Sequence, residues 1–316
     1  MERIGEMENN ELKYRRVAVL SGGTSAEREV SLESGRNVAE ALKAAGVPDV
    51  RLVVLDSDSL AGMPDGAEAA YVALHGGWGE NGGVQAALEE RGIPYTGPGP
   101  AACALAMDKI ATKRALDAAG IPNARWVELL SPAAEPPLPL PLVVKPPCDG
   151  SSIGIAKVVS PDGWAAAYDL ARKADPDGRV LAEEYIDGRE WTVGVVDGAV
   201  LPVVEIQAPD GWYGYEAKYL SNATRYVFPE DDASVPRETL EEARRAALAA
   251  FAAAKCAGVS RVDFRLDSAG RPFVLEINTA PGMTAHSLLP KAAARAGMDF
   301  PALCRRVLEG ACCGKV

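Results

Sequence analysis

The strongest chemical signal in the sequence is a pair of acidic apolar runs near the C-terminal end. Arg261 and Asp263 alternate with apolar residues in the first run, and Glu276 and Asn278 do so in the second. A short Asp-Ser-Ala-Gly turn separates the runs, so each polar set is expected on one face of a β-hairpin. Pairing about the centre of the turn predicts Arg261 opposite Glu276 and Asp263 opposite Val274. Asp263 and Glu276 would then be diagonal neighbours.

Two carboxylates and an amide on one face are oxygen ligands of the kind that Mg²⁺ prefers. Mg²⁺ keeps several waters and is usually held by one or two carboxylates together with nucleotide phosphates. The alternative is a solvated charged face, which does not require the Asn-Thr-Ala-Pro-Gly turn that begins at Asn278. The pattern therefore favours a divalent-metal site.

Two glycine-rich loops follow predicted strands in the first third of the chain. The loop 21–27 ends at Glu27, and the loop 75–83 begins at His75 and contains five glycines. A dinucleotide-binding fingerprint fails in the first loop, because its glycine positions fall on Gly22, Thr24 and Glu27. Hydride-transfer chemistry is therefore disfavoured. Loops at the carboxyl ends of parallel strands are where such sheets bind ligands.

A third loop, 149–154, lies between two predicted strands and comes shortly after Lys145. It reads Asp-Gly-Ser-Ser-Ile-Gly and includes Ser151 and Ser152. Backbone amides of small residues can close over phosphate oxygens, which predicts phosphate binding. A simple hairpin loop is the alternative, but it would be shorter and would more often contain Asn-Gly.

Alternating strand and helix patterns supply the elements that position these residues. The first part of the chain predicts a parallel sheet covered by helices, and the rest predicts smaller α+β units. Four segments are expected: a flexible N-terminus over 1–13, a parallel-sheet domain over 14–102, a central unit over 103–187 and a C-terminal unit over 188–316. A helix is predicted over 107–120 and an alanine-rich helix over 236–257.

Composition limits the class of protein. The 316 residues include 44 acidic and 33 basic side chains, which gives a net charge of −11. This balance argues against nucleic-acid and membrane partners. No apolar run reaches the length of a membrane span, and the first 16 residues do not resemble a signal peptide. Six scattered cysteines without a CxxC motif fit a reduced, cytoplasmic protein.

Taken together, six motifs over about 15–310 make the sequence resemble the D-alanine–D-alanine ligase family of the ATP-grasp superfamily. In chain order they are Gly-Gly-Thr-Ser-Ala-Glu-Arg-Glu-Val-Ser (22–31), Ala-Leu-His-Gly (73–76), Met-Asp-Lys (107–109), Asp-Gly-Ser-Ser-Ile-Gly (149–154), Glu-Ala-Lys-Tyr-Leu-Ser (216–221) and Glu-Ile-Asn-Thr-Ala-Pro-Gly-Met-Thr-Ala-His-Ser (276–287). The resemblance implies an α/β and α+β architecture, in which a Rossmann-like parallel-sheet domain precedes an ATP-grasp fold. It also implies that two D-alanines are joined through a D-alanyl phosphate, for peptidoglycan and cell shape. The implied cofactors are ATP and two Mg²⁺ ions per site, with Mn²⁺ as an alternative metal. The implied setting is a cytoplasmic homodimer.

The resemblance also implies roles for individual residues. Those implied for the nucleotide are Lys109 and Lys145 on the α- and β-phosphates, Lys218 on the γ-phosphate, Ser151 and Ser152 in the phosphate loop, Glu183 and Ile186 at the adenine, and Glu190 at the ribose. Those implied for the metals and the amino acids are Asp263, Glu276 and Asn278 on the metals, Arg261 and the Gly282 amide on the oxyanion, Glu27 on the first ammonium with His75 nearby, and Ser287 with the Leu288 amide on the second carboxylate. A hydrogen-bonded link of Glu27, Ser151 and Tyr219 would close the site.

Two other functions are kept as alternatives: an ATP-grasp ligase that uses D-lactate as acceptor, and a non-catalytic nucleotide sensor. The complete metal set with Arg261 argues against the sensor. Within the family resemblance, Tyr219 favours D-alanine as the acceptor, because the corresponding position resembles Phe in the relatives that use D-lactate. The segment 207–221, rich in glycine and aromatic residues, is expected to form a lid.

Overall fold

The first sheet is parallel and lies at the N-terminal end of the chain. The computed structural model describes residues 11–131, 133–148, 154–209 and 223–315. Strand β1 (Arg16–Gly22) runs between β2 (Asp49–Leu55) and β3 (Ala69–Val72), and both neighbours pair with it in parallel. The predicted parallel sheet is therefore present, and the loops after β1 and β3 leave the same edge of it.

Helices cover both faces of this sheet. The helices of this region are α1 (Arg28–Ala44), α2 (Gly83–Glu90) and α3 (Pro100–Met107). Val38 and Leu42 bury one side of α1 against β1. Two helices from the end of the chain, α7 (Leu288–Arg295) and α8 (Phe300–Glu309), share this core, while α2 packs on the opposite face. The C-terminal segment thus closes the first sheet.

The second sheet is antiparallel and carries two of the predicted nucleotide residues. Its strands, in spatial order, are β4 (Trp126–Leu129), β7 (Val180–Glu184), β5 (Leu142–Lys145) and β6 (Ala156–Val158). Helix α4 (Lys109–Ala118) precedes it, and α5 (Trp164–Ala174) packs on β5 and β6. The helix predicted over 107–120 starts later than expected. Asp108 breaks the helical path and caps α4, its carboxylate accepting from the amides of Ile110 and Ala111.

The third sheet holds the acidic hairpin. Its strands, in spatial order, are β11 (Arg225–Val227), β10 (Val204–Gln207), β8 (Glu190–Val196), β12 (Val259–Leu266) and β13 (Pro272–Asn278), with β9 (Ala199–Val200) also paired to β8. Helix α6 (Arg237–Ala253) covers one face. Ala243, Ala247 and Ala250 recur at helical spacing along its buried side, and their small size lets the helix approach the sheet closely.

Candidate active site

The loops after β1 and β3 meet at the carboxyl edge of the parallel sheet. Ser25 Oγ donates to the carbonyl oxygen of His75 at 2.5 Å, which joins the two loops directly. Glu27 lies immediately before α1, and a Cβ on Gly76 would sit 2.8 Å from its Oε2 atom. Gly76 has φ +66° and ψ 169°, a conformation that is essentially restricted to glycine. The structure therefore brings Glu27 and His75 together, as the topology of the sheet leads one to expect.

Both ring nitrogens of His75 are engaged in hydrogen bonds that tie this edge to the C-terminal unit. Nδ1 lies 3.0 Å from the carbonyl oxygen of Ala280, which can only accept, so Nδ1 carries the proton. Nε2 then accepts from Ser34 Oγ at 3.0 Å, and Ser34 Oγ accepts from the Met283 amide. His75 thereby fixes the segment 279–283 against the first sheet.

The acidic hairpin forms as predicted, but its register differs from the prediction. Asp263 pairs directly with Glu276, and Arg261 pairs with Asn278. The predicted pairs Arg261–Glu276 and Asp263–Val274 are therefore wrong, as is the diagonal relation of the two carboxylates. Pairing passes from Asp263–Glu276 to Phe264–Val274, which leaves Leu275 as the extra residue of a β-bulge. The bulge shifts β13 by one residue, so that all four polar side chains share one face.

The charges on this face compensate one another. Arg261 makes a two-pronged ion pair with Asp263, with both nitrogen–oxygen distances at 2.9 Å. Thr192 Oγ1 on β8 donates to the same carboxylate. Glu276 lies 3.6 Å from Nζ of Lys109, whose own amide donates to the carbonyl oxygen of Pro147. Lys109 thus links the acidic face to the chain that leads into the loop 149–154.

The two carboxylates and the amide of this face are oxygen donors of the kind that Mg²⁺ binds. They include only two acidic side chains, and among the described residues there is no cluster of three or more His, Cys, Asp and Glu side chains placed to hold a metal. The two carboxylates and the Asn278 amide match the small protein contribution that Mg²⁺ takes when phosphates complete its shell. Asn278 Oδ1 accepts from the Ala280 amide, which orients the side chain and leaves a second lone pair.

Glu183 occupies a buried position between two lysines. Its carboxylate forms ion pairs with Lys145 on β5 and with Lys113 on α4, the latter at 2.8 Å. Burial alone would raise the pKa of Glu183, but the two lysine charges outweigh it and hold the pKa at about 2. Burial lowers the pKa of Lys113 against the opposing effect of Glu183. Contact of Glu183 with adenine stays a prediction.

Arg265 holds the segment to which the family resemblance assigns the adenine and the ribose. Its guanidinium donates to the carbonyl oxygen of Ile186, to Glu190 at 3.0 Å and to the Tyr185 hydroxyl. Gly188 approaches β12 closely, since a Cβ there would lie 2.0 Å from the carbonyl oxygen of Leu266. Ile186 and Glu190 are thereby fixed beside the strand that carries Asp263.

The residues predicted to bind the second carboxylate lie at the start of α7, and Gly282, one of the two predicted oxyanion residues, lies beside them. Ser287 is the residue before the first helical residue, Leu288, and its Oγ accepts from the Thr284 amide. A Cβ on Gly282 would lie 2.7 Å from that Oγ. Gly282, Ser287 and the Leu288 amide are therefore neighbours. The amides of a helix N-terminus favour a carboxylate.

Four predicted site residues, Ser151, Ser152, Lys218 and Tyr219, lie outside the described residues, as does most of the predicted lid. Their roles stay predictions. Conversely, sequence reasoning missed Lys113, Arg265 and Ser34. Lys113 follows Lys109 by about one helical turn, so the spacing indicated that both side chains lie on the same face of the helix. Lysines on helices usually face solvent, however, which argued against a role for Lys113.

Within the described part of the chain, no helix is long and apolar enough to cross a membrane.

Comparison with solved structures defines the class of fold. A crystal structure of D-alanine–D-alanine ligase from Bacillus anthracis complexed with ATP matches with a TM-score of 0.80 and 31% identity, over 94% of this chain and 97% of that chain. A second crystal structure from the same organism gives a TM-score of 0.81 at 33% identity, over 93% of this chain and 96% of that one. The protein has an ATP-grasp fold preceded by a Rossmann-like domain, as the sequence resemblance implied.

Sequence comparison narrows the class to one family. The protein-family model described as D-ala D-ala ligase C-terminus matches residues 116–309. The D-alanine–D-alanine ligase of Bordetella pertussis is 48% identical over 311 residues, covering 95% of this chain and 96% of the relative. That of Laribacter hongkongensis is 44% identical over 303 residues, covering 95% and 97%. The chain belongs to the D-alanine–D-alanine ligase family.

Proposed function

We propose that the protein joins two D-alanine molecules into D-alanyl-D-alanine, at the cost of one ATP converted to ADP and phosphate. Relatives named for this activity match nearly the whole chain, and one structural neighbour was crystallised with ATP. One observation carries the proposal most directly: the continuous segment 276–283 contacts both halves of the required site. Glu276 lies beside Lys109, while Ala280 and Met283 bond to the His75–Ser34 pair.

The chemistry requires activation of a carboxylate, because a carboxylate and an ammonium do not condense in water. A carboxylate oxygen of the first D-alanine attacks the γ-phosphorus of ATP, and the bond from that phosphorus to the bridging oxygen of ADP breaks. The deprotonated amine of the second D-alanine then attacks the acyl carbon, its nitrogen releases one proton, and phosphate leaves with its bonding electron pair. The protein positions these groups and compensates charge, and forms no covalent bond itself.

The metal-binding residues in this proposal are Asp263, Glu276 and Asn278. Bound Mg²⁺ would neutralise the negative charge that shifts between the phosphate oxygens during phosphoryl transfer. Two ions per site, and Mn²⁺ as an alternative, belong to the proposal as well. The ion pair of Arg261 with Asp263 holds the guanidinium on the same face, where it can stabilise the oxyanion of the second step together with the Gly282 amide.

The two amino-acid substrates are assigned to opposite sides of the hairpin face that holds Asp263 and Glu276. Glu27 would accept the ammonium of the first D-alanine, and His75 would fix the loop that carries the neighbouring Gly76. Ser287 and the Leu288 amide would bind the carboxylate of the second D-alanine at the helix N-terminus.

ATP is assigned to the side of the second sheet. Lys109 and Lys145 would bind the phosphates, Glu183 and the Ile186 backbone the adenine, and Glu190 the ribose hydroxyls. Lys218, with Ser151 and Ser152, would complete the phosphate site, and Tyr219 would join Ser151 and Glu27. A cytoplasmic homodimer that supplies the dipeptide for peptidoglycan is the setting this proposal implies.

Phosphate release from ATP tests the proposal. The native protein and Asp263→Asn are incubated with Mg²⁺ and ATP, and with D-alanine, L-alanine, or D-alanine plus D-lactate. We expect phosphate and dipeptide with D-alanine, neither with L-alanine, and mainly dipeptide in the mixture. No phosphate from the native protein with D-alanine would contradict the proposal.

A further inference from the structure

Lys113 is a buried lysine close to the proposed nucleotide site, and it has no role in the scheme above. Its side chain is 1% exposed, and its Nζ lies 2.8 Å from Glu183 Oε2. Asn123 Oδ1 and the Ala124 carbonyl oxygen also accept from it, at 3.3 and 3.4 Å. These contacts fix Lys113 to the inner side of the second sheet.

Glu183 shares its charge with two cations rather than one. Lys145, on the neighbouring strand, pairs with Glu183 Oε1, while Lys113 pairs with Oε2. All three side chains are less than 10% exposed, so water screens these charges little. The group of Lys113, Glu183 and Lys145 carries a net charge of +1.

Without Lys113, the remaining pair of Glu183 and Lys145 would be neutral. Lys145 would then be bound to a carboxylate that pairs with no other cation of the described residues, and its attraction for phosphate would be largely cancelled. Lys113 also places its charge 2.8 Å from the carboxylate oxygen of Glu183 that is not paired with Lys145. An unpaired buried charge is costly, so this contact fixes the orientation of the whole group.

We propose that Lys113 is a positioning residue for the nucleotide: it balances Glu183 from the interior, so that the group of Lys113, Glu183 and Lys145 keeps a net positive charge beside the phosphates. This rests on the ATP site of the proposed function. It predicts that the phosphate contribution to binding depends on Lys113, although the Lys113 side chain is almost completely buried.

The test compares adenosine with ADP, at saturating Mg²⁺, by calorimetry on the full chain. The ratio of the two dissociation constants isolates the phosphate contribution. Lys113→Met should reduce the preference for ADP over adenosine by about tenfold, since a charge near the phosphates is lost. The double variant Lys113→Met/Glu183→Gln, which restores the net charge of +1, should return the ratio to within about threefold of native. Lys43→Met, which removes an exposed lysine of α1, is the control and should leave the ratio unchanged.

General damage to the fold would weaken the binding of adenosine and of ADP equally, and would leave the ratio of their dissociation constants unchanged. An unchanged ratio in Lys113→Met overturns the proposal. So does a double variant whose ratio stays as low as that of Lys113→Met. If Lys113→Met does not fold, Lys113→Gln takes its place because it removes the same charge: a tenfold loss of the ratio supports the proposal, and a ratio within threefold of native refutes it. Neither ligand requires D-alanine, so a native protein that binds ADP but makes no dipeptide contradicts only the proposed function. A native protein that does not bind ADP contradicts both.

Discussion

Replacing Gly76 with alanine should weaken the binding of D-alanine while sparing that of ATP. The new Cβ would lie 2.8 Å from Glu27 Oε2, so the carboxylate must retreat by about 0.6 Å to reach an ordinary contact. A hydrogen bond to a charged group contributes about 1.5–3 kcal/mol. Loss of the Glu27–ammonium contact would therefore raise the KM for D-alanine by about 10- to 150-fold. The KM for ATP should stay within about twofold, because the residues assigned to ATP lie outside the first sheet and its loops.

Steady-state phosphate release measures both constants, with each substrate varied while the other saturates. The matched control is Gly77→Ala, whose φ is also positive, at +47°, but whose Cβ would lie 3.7 Å from Ser25 and near no atom of Glu27. Backbone strain of about 1–3 kcal/mol should lower the thermal stability of Gly76→Ala without itself changing KM selectively. Equal increases of the D-alanine KM in both variants, or an unchanged KM in a folded Gly76→Ala, would refute the assignment of Glu27.

Three further outcomes follow from the described contacts. Asp263→Asn should reduce kcat by more than about 100-fold while the fold persists, since a metal ligand charge is lost; near-native kcat at millimolar Mg²⁺ would remove the metal assignment. The pKa of Glu183 lies below its ordinary value, at about 2, so the stability that its charge contributes is complete above about pH 4.5 and is lost as the pH falls towards 2. Urea unfolding should therefore show a smaller difference in free energy of unfolding between native protein and Glu183→Gln at pH 3 than at pH 5. An equal difference at the two pH values would contradict the charge arrangement. Gly188→Ala should cost about 1–3 kcal/mol of stability and raise the KM for ATP, because its Cβ would collide with the Leu266 carbonyl oxygen; a native melting temperature would show that this close approach is not needed.

The sequence predicted the strands of the hairpin better than it predicted the register in which they pair. Alternation of polar and apolar residues was enough to place Asp263 and Glu276 on a hairpin, since the period of a strand fixes which side chains share a face. The bulge at Leu275 changed the pairing, because it adds one residue to β13 that has no partner on β12. Nothing in a pattern of alternation reports it.

Long-range contacts limited the prediction of the site in the same way. The parallel topology was enough to bring the loops of Glu27 and His75 to one edge. The contacts of Lys113 with Glu183 and of Arg265 with Ile186 could not be predicted, because each joins residues that are more than 60 positions apart in the chain. A lysine on a helix is expected to face solvent unless the fold buries a carboxylate beside it, as Glu183 is buried here.

In the proposed reaction, the carboxylate of D-alanine attacks ATP before the peptide bond forms. D-Alanine labelled with ¹⁸O in both carboxylate oxygens tests this directly, with mass spectrometry of the phosphate released alongside the dipeptide. Attack on the γ-phosphorus leaves one carboxylate oxygen bound to phosphorus, and that oxygen departs with the phosphate in the second step. We therefore predict one ¹⁸O atom in each phosphate and unlabelled ADP. Unlabelled phosphate, or label in AMP, would contradict the acyl-phosphate route and with it the proposed function.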